Sequence, residues 1–181
     1  MATKTMSVEI KGQGLGLLMH RFPLEPIEAL EKKSRQDQAE LAAYRTPSPD
    51  GILGSLYIPG SNLQRALVAG AAYSKGRGRA TLQKPVAACV EVEPEWIILT
   101  PQSYEIDSRP VVIPATKGRV IRHRPWFPEW GAQYSISYDD LMLTEEQLRR
   151  IVDDTGRNVG VLDYRPEHKG PFGRFIIVEW R

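Results

Sequence analysis

Two short runs of this chain place several cations on glycine-punctuated turns, and phosphate binding is the chemistry such runs can do. The first is Lys75-Gly76-Arg77-Gly78-Arg79, with Lys84 close behind. Glycine lets backbone amides approach an anion, and each guanidinium offers paired donors to phosphate oxygens. The second is Lys117-Gly118-Arg119 with Arg122, His123 and Arg124, followed at once by Trp126 and Phe127. Cations interleaved with aromatics match the pairing of charge with base stacking that holds single strands. Each run also has a plainer reading: a solvated loop for the first, and aromatics that anchor a hairpin base for the second. Distribution separates the readings better than the total does. Net charge is only +2, yet the window from Lys75 to Arg124 carries nine basic residues against five acidic ones, most of the bases at turns. Clustering of this kind is what a phosphate-binding surface needs.

The case for catalysis is thin at this level. His20, His123 and His168 lie far apart, show no metal-ligand spacing, and are accompanied by one cysteine, Cys89. Zinc sites need four such ligands in a compact pattern. Neither a Walker-type loop nor G-x-S-x-G is present. Ser61 is explained by helix capping rather than nucleophilic chemistry. The acid pairs Asp139-Asp140 and Asp153-Asp154 flank helix ends. Asp50 is the acid available for a metal-dependent cleavage, although Pro49-Asp50-Gly51 is also accounted for as a turn. No metal and no cofactor is expected.

These residues need elements to position them. Val8–Ile10 and the glycine-spaced 12–19 read as a first strand, and 27–44 as an exposed helix opened by Pro26. Leu56–Ile58 leads through Pro59-Gly60 into Ser61-Asn62-Leu63-Gln64, which has the form of a capping box. Leu63, Ala66, Leu67, Gly70 and Ala71 then mark one helix face. Val86–Val92 alternates as a second core strand, with Cys89 buried in it. Trp96–Leu99 and Val111–Ile113 read as a pair within a protruding hairpin. Tyr134–Tyr138 alternates strictly, and Thr144–Gln147 is a second capping box. Gly156 stands where a C-terminal cap belongs, and Phe175–Val178 reads as a buried last strand. The fold class is therefore α+β, one domain over 1–181 in ferredoxin-like (RRM-like) βαββαβ order. It carries an inserted helix after strand 1 (roughly 22–55) and the hairpin after strand 2 (roughly 95–130).

The run Tyr57-Ile58-Pro59-Gly60-Ser61-Asn62-Leu63-Gln64-Arg65-Ala66-Leu67 resembles the segment that opens the first helix of the RAMP superfamily, the backbone subunits of CRISPR effector complexes and their relatives. The glycine-bearing stretch 160–173, above all Gly170-Pro171-Phe172-Gly173-Arg174-Phe175, is similar to that family's loop before its last strand. The resemblance implies a non-catalytic protein that binds single-stranded RNA along its sugar-phosphate backbone and repeats head to tail in a ribonucleoprotein filament of antiviral defence, alone or with other effector subunits. It would place Ser61, Asn62, Arg65 and Arg174 near phosphates, with Ser61 and Asn62 at a helix N-terminus that attracts anions. A stand-alone or phage-encoded relative fits the short chain equally well. Two other readings stay open: a metal-dependent ribonuclease using Asp50, and an assembly protein that holds no nucleic acid.

Composition bounds these readings. With 181 residues, 41% hydrophobic and 25% charged, the chain can bury a core as one domain. No run approaches the roughly 18–20 apolar residues of a membrane span, and the N-terminus reads as no leader. A lone cysteine suits a reducing cytoplasm.

Overall fold

The computed structural model describes residues 3–76 and 78–181. Its architecture is α+β, built on two antiparallel sheets. Strand β1 (Thr3–Gly12) lies in the larger sheet between β8 (Gly131–Asp139) and β9 (Phe175–Trp180). The other edge of β8 takes β4 (Val90–Glu93) and then β5 (Trp96–Thr100), and β5 pairs in turn with β3 (Tyr57–Pro59). Side chains alternate across the sheet. Val8, Ile10, Ile97, Leu99, Ala132, Tyr134, Ile136 and Tyr138 therefore fall on one face, all buried. That face is covered by α3 (Gly60–Gly70) and α5 (Glu145–Asp154), whose Leu63, Ala66, Leu67, Leu148, Ile151 and Val152 complete the core. Thr144 caps α5 as its sequence requires: its hydroxyl accepts from the Gln147 amide, and the Gln147 side chain accepts from Thr144 N–H.

The smaller sheet is a long hairpin, β6 (Glu105–Val112) with β7 (Arg119–Phe127), joined at its base by β2 (Leu17–Leu18). The N-terminal strand thus does not run on to Met19. Gly14 and Gly16 take φ of +67° and +85°, turning the chain from one sheet to the other. A Cβ on Gly16 would sit 2.1 Å from the Phe127 carbonyl oxygen.

Several expected elements differ. The 27–44 helix is two helices, α1 (Ile27–Glu31) and α2 (Arg35–Leu41), because Ser34 caps a new start by accepting from the Asp37 amide at 3.1 Å. Val86–Val92 is not one strand: α4 (Gln83–Cys89) precedes β4. Buried Leu82, Val86 and Val90 follow helical spacing, and β8 ends at Asp139, so residues before Val90 have no strand to pair with. Cys89 is half-buried, its thiol pushed up by burial. Trp96–Leu99 belongs to the main sheet and does not pair with Val111–Ile113. The hairpin proper is 105–127. Gly156 does not cap α5. The helix continues as a π turn over Thr155–Val159 and ends at Gly160, φ +73°, while a Cβ on Gly156 would lie 2.2 Å from the Phe175 carbonyl oxygen. β9 is an edge strand, with Ile176 and Val178 exposed.

Ser61 and Gln64 do not form a box either. Gln64 is drawn away to the outer edge of β4, where its amide donates to the Val90 carbonyl (2.8 Å) and accepts from the Val92 amide (3.0 Å), standing in for a neighbouring strand. Gln64→Ala leaves both backbone groups without that partner. The expected cost is about 2 kcal/mol, read as a lower urea midpoint with unchanged slope, since an unsatisfied buried group costs roughly 1–3 kcal/mol.

Candidate nucleic-acid interface

The glycine-bearing segment 160–173 is stitched to three elements. Asn62, at the start of α3, accepts from the Leu162 amide at 3.1 Å. Asp163 N–H donates to the Leu18 carbonyl of β2, and Gly173 N–H to the Gly16 carbonyl. The backbone is left-handed at Leu162 (φ +61°) and Tyr164 (φ +47°), on either side of Asp163. Such conformations cost a non-glycine residue roughly 1–3 kcal/mol and persist where surroundings over-determine them. They aim Asp163 at the hairpin.

There Asp163 meets Arg124, which is 5% exposed and donates to it at 2.6 Å. The other terminal nitrogen of Arg124 lies 3.4 Å from Asp107, whose carboxylate also accepts from Arg109 at 2.6 Å. Arg109 stacks over Phe172, 4.9 Å from the ring centroid. The oxygen that accepts from Arg124, Asp163 Oδ2, also lies 3.6 Å from His20 Nδ1. Burial raises the Asp163 carboxyl, but the neighbouring His20 imidazole and the Arg124 charge outweigh it and hold it below the ordinary carboxylate range.

Two clefts meet at His20 and Phe22. One, about 340 Å³, is lined further by Tyr44, Asn62, Asp163, Tyr164, Arg165 and His168. The other, about 310 Å³, runs along the hairpin past Pro23, Leu30, Val111 and Arg122. Phe22 stands 81% exposed at the junction, its ring 4.6 Å from that of His20. Tyr164 is exposed across the first cleft. Both acids that line the clefts are neutralised: Asp163 as described, and Glu25 by Lys33 at 3.6 Å. Arg122, in the wall, and Arg21 and Lys169, next in sequence to the lining residues, make no ion pair among the described residues. Donors, exposed rings and the unopposed Arg122 therefore share one groove, with Arg21 and Lys169 next to it in the chain.

No protein-family model matches this chain, and neither does any curated protein. The groove must be read on its own chemistry.

The residues singled out from sequence are distributed unevenly. Asn62 and Arg122 line the groove. Arg124 is near it but spent inside the fold. Trp126 is half-buried, donating to the Leu15 carbonyl at 2.7 Å, so it anchors the hairpin base. His123 bonds the Ser108 hydroxyl at 2.7 Å, and burial, then Arg35, push its imidazole down. Lys117 and Arg119 are exposed at the hairpin's free end. Ser61 does not offer a helix N-terminus to phosphate, because the Glu95 carboxylate already accepts from its amide and its hydroxyl, both at 2.9 Å. Arg65 is exposed on α3, and exposed Arg174 donates to the Arg157 carbonyl.

The first basic run is elsewhere. Lys75 follows the far end of α3, beside Tyr73, Leu82 and Arg150, roughly 18 Å of helix from Asn62 at 1.5 Å per residue. Lys84 and Arg79 are exposed there, and Arg77 lies outside the described residues. Asp50 is exposed in a turn, and among the described residues no group of three His, Cys, Asp or Glu could hold a metal. Sequence reasoning weighed His20 and His168 only as metal ligands and passed over Phe22, Tyr164 and Arg165. Their separation of up to 148 positions hides them (168 − 20), and only the spaced glycines 160, 170 and 173 hinted at a built loop.

Asp163→Asn should lower stability by about 3 kcal/mol at neutral pH, the low end for breaking a buried ion pair, because Asp107 still shares Arg124. The folded pKa lies below the unfolded value near 4. The carboxylate's contribution is thus present above that value and is lost as pH falls through the folded one. Chemical denaturation across pH should show the gap between the two proteins closing under acid.

Proposed function

We propose that this protein binds single-stranded nucleic acid, RNA favoured, in the groove that runs from Asn62 and His168 past His20 and Phe22 to Arg122. The observation that carries the reading is an exposed ring, Phe22, at the meeting point of two clefts whose acids are already paired and whose flanking cations are not. A base can stack on Phe22 or Tyr164, while Arg21, Arg122 and Lys169 face the phosphates that follow. RNA is favoured on the resemblance to the RAMP superfamily. Two features support it: the sheet order β9-β1-β8-β4, antiparallel throughout, suits a ferredoxin-like core, and a hairpin projects from the body.

Fluorescence anisotropy with a labelled single strand tests the reading. With about three phosphates engaged at roughly −0.7 per phosphate, log K should fall against log salt with a slope near −2. Arg122→Ala should flatten that slope by about 0.7. Phe22→Ala should weaken binding about tenfold and leave the slope alone, since stacking on an aromatic is worth roughly 1–3 kcal/mol per base. Affinity indifferent to salt, or to both substitutions, would reject the groove.

A second reading has one observation behind it. Asp163 holds the Nδ1 side of His20 within ion-pair range in the cleft wall, an arrangement that orients imidazole for proton transfer from its other nitrogen. If the groove also cuts RNA, cleavage should persist in EDTA and vanish in His20→Ala while the strand still binds. Intact RNA after prolonged incubation with the wild type rules this reading out and leaves binding untouched.

A further inference from the structure

The groove leaves the first basic run unused, and that run borders a cavity of its own. A 3-10 turn, Ala71–Tyr73, extends α3 and packs against α5. The approach is close: a Cβ on Gly70 would lie 2.0 Å from Thr155 Oγ1, just past the end of α5. Beyond the turn the chain doubles back. Gly76 N–H donates to the Ala80 carbonyl at 2.8 Å, and Leu82 N–H to the Ser74 carbonyl at 3.1 Å. Between these elements lies a cavity of about 400 Å³, lined by Tyr73, Ser74, Lys75, Leu82, Gln147 and Arg150.

Every polar side chain in that lining can donate a hydrogen bond, and none is a carboxylate. Lys75 and Arg150 are exposed and make no ion pair among the described residues. Gln147 spends its amide oxygen on Thr144 N–H, which leaves its NH2 group to donate. Ser74 is 6% exposed, and its hydroxyl is buried with no hydrogen-bond partner among the described residues. A buried hydroxyl left unpaired costs free energy that a ligand oxygen recovers. Lys75 alone is explained by its place after α3, where a cation complements the helix dipole. That explains neither Arg150, within α5, nor the Ser74 hydroxyl. The acids near Arg150 lie in a separate cleft, where Arg157 holds Asp153 at 2.9 Å and Glu146 makes no ion pair among the described residues. The open face of the larger sheet is the opposite case: Glu9, Glu91 and Glu93 are exposed on it beside Trp96, over hydroxyls of which Thr5 bonds Ser137 at 3.0 Å.

We infer that this cavity is a second binding site, for a phosphomonoester: a nucleoside 5′-monophosphate, either free or at the end of a strand. Lys75 and Arg150 meet the phosphate charge, Ser74 and Gln147 donate to its oxygens, and the base lies on the exposed ring of Tyr73. The volume suits a ligand of that size, toward the lower end of the roughly 300–1,000 Å³ of small-molecule sites. The site shares no lining residue with the groove and lies at the other end of α3, so it stands whether or not the groove holds a strand.

Titration calorimetry of the nuclease-treated full chain tests this with adenosine 5′-monophosphate against adenosine, and with a 5′-phosphorylated single strand against its 5′-hydroxyl twin. The phosphorylated member of at least one pair should bind about tenfold tighter, since hydrogen bonds to a charged group are the strong ones. Arg150→Ala and Lys75→Ala should each cut that preference about fivefold. Ser74→Ala should cut it too without lowering the urea midpoint, because it removes a hydroxyl that the fold itself leaves unpaired. Phe22→Ala should leave the preference unchanged, which separates this site from the groove. Preference confined to the free nucleotide identifies that as the ligand, and preference confined to the strand identifies its phosphorylated end. If neither pair shows a preference, or if the preference survives both Arg150→Ala and Lys75→Ala, the site is overturned.

Discussion

The ion pair between Arg124 and Asp163 is the constraint on which the rest of this molecule depends. A buried guanidinium with one carboxylate removed is a charge without a solvent, and such a charge is costly enough to unmake a fold. Here it is shared between Asp163 on the glycine-bearing segment and Asp107 on the partner strand of the hairpin. Two parts of the chain with separate hydrophobic surfaces are thereby joined in one orientation. The pair also explains the strained backbone at Leu162 and Tyr164: a relaxed loop would swing the carboxylate out of reach.

The groove follows from that joint. With the hairpin fixed against the segment 160–173, the chain leaving β2 must pass between them, which carries His20 and Phe22 into the gap. Phe22 finds no core to enter and stays exposed. Asp163 lies in the gap too, and would repel a phosphate if it were free. Its pairing with Arg124 and His20 removes that obstacle while leaving Arg21, Arg122 and Lys169 unopposed. One interaction therefore shapes the cleft and sets the sign of its potential.

A two-stranded hairpin has two faces, and here their surroundings differ. The face with Arg122, Arg124 and Arg109 looks onto the groove. The other is covered by α2 near the base and bare near the tip, where cations and aliphatic side chains alternate. The open sheet face is acidic, which argues against nucleic acid stacking there despite its hydroxyl floor and Trp96.

Much of the fold was legible in residue order. The Thr144 capping box, the apolar stripe of α3 and the strict alternation of β8 each have a local cause, so neighbouring residues suffice to specify them. The α+β class and the hairpin's turn at Lys117-Gly118-Arg119 follow from the same local signals, whereas Trp96–Leu99, expected in the hairpin, went to the main sheet. What failed did so where a distant partner outbid a near one. Gln64 left its capping position for the edge of β4, and Ser61 took Glu95 in place of an anion. Val86 joined a helix once β8 had no length left to pair with it. Arg124 looked like a phosphate ligand because the sequence shows its charge but not the two carboxylates that fold onto it. His20 and His168 looked unrelated for the matching reason. Sequence by itself determined the elements and the stock of cations and rings, because both are written in local spacing. Tertiary structure alone decided which charges are spent on one another and which are left for a ligand, since that is settled by distances across the fold that no local pattern encodes.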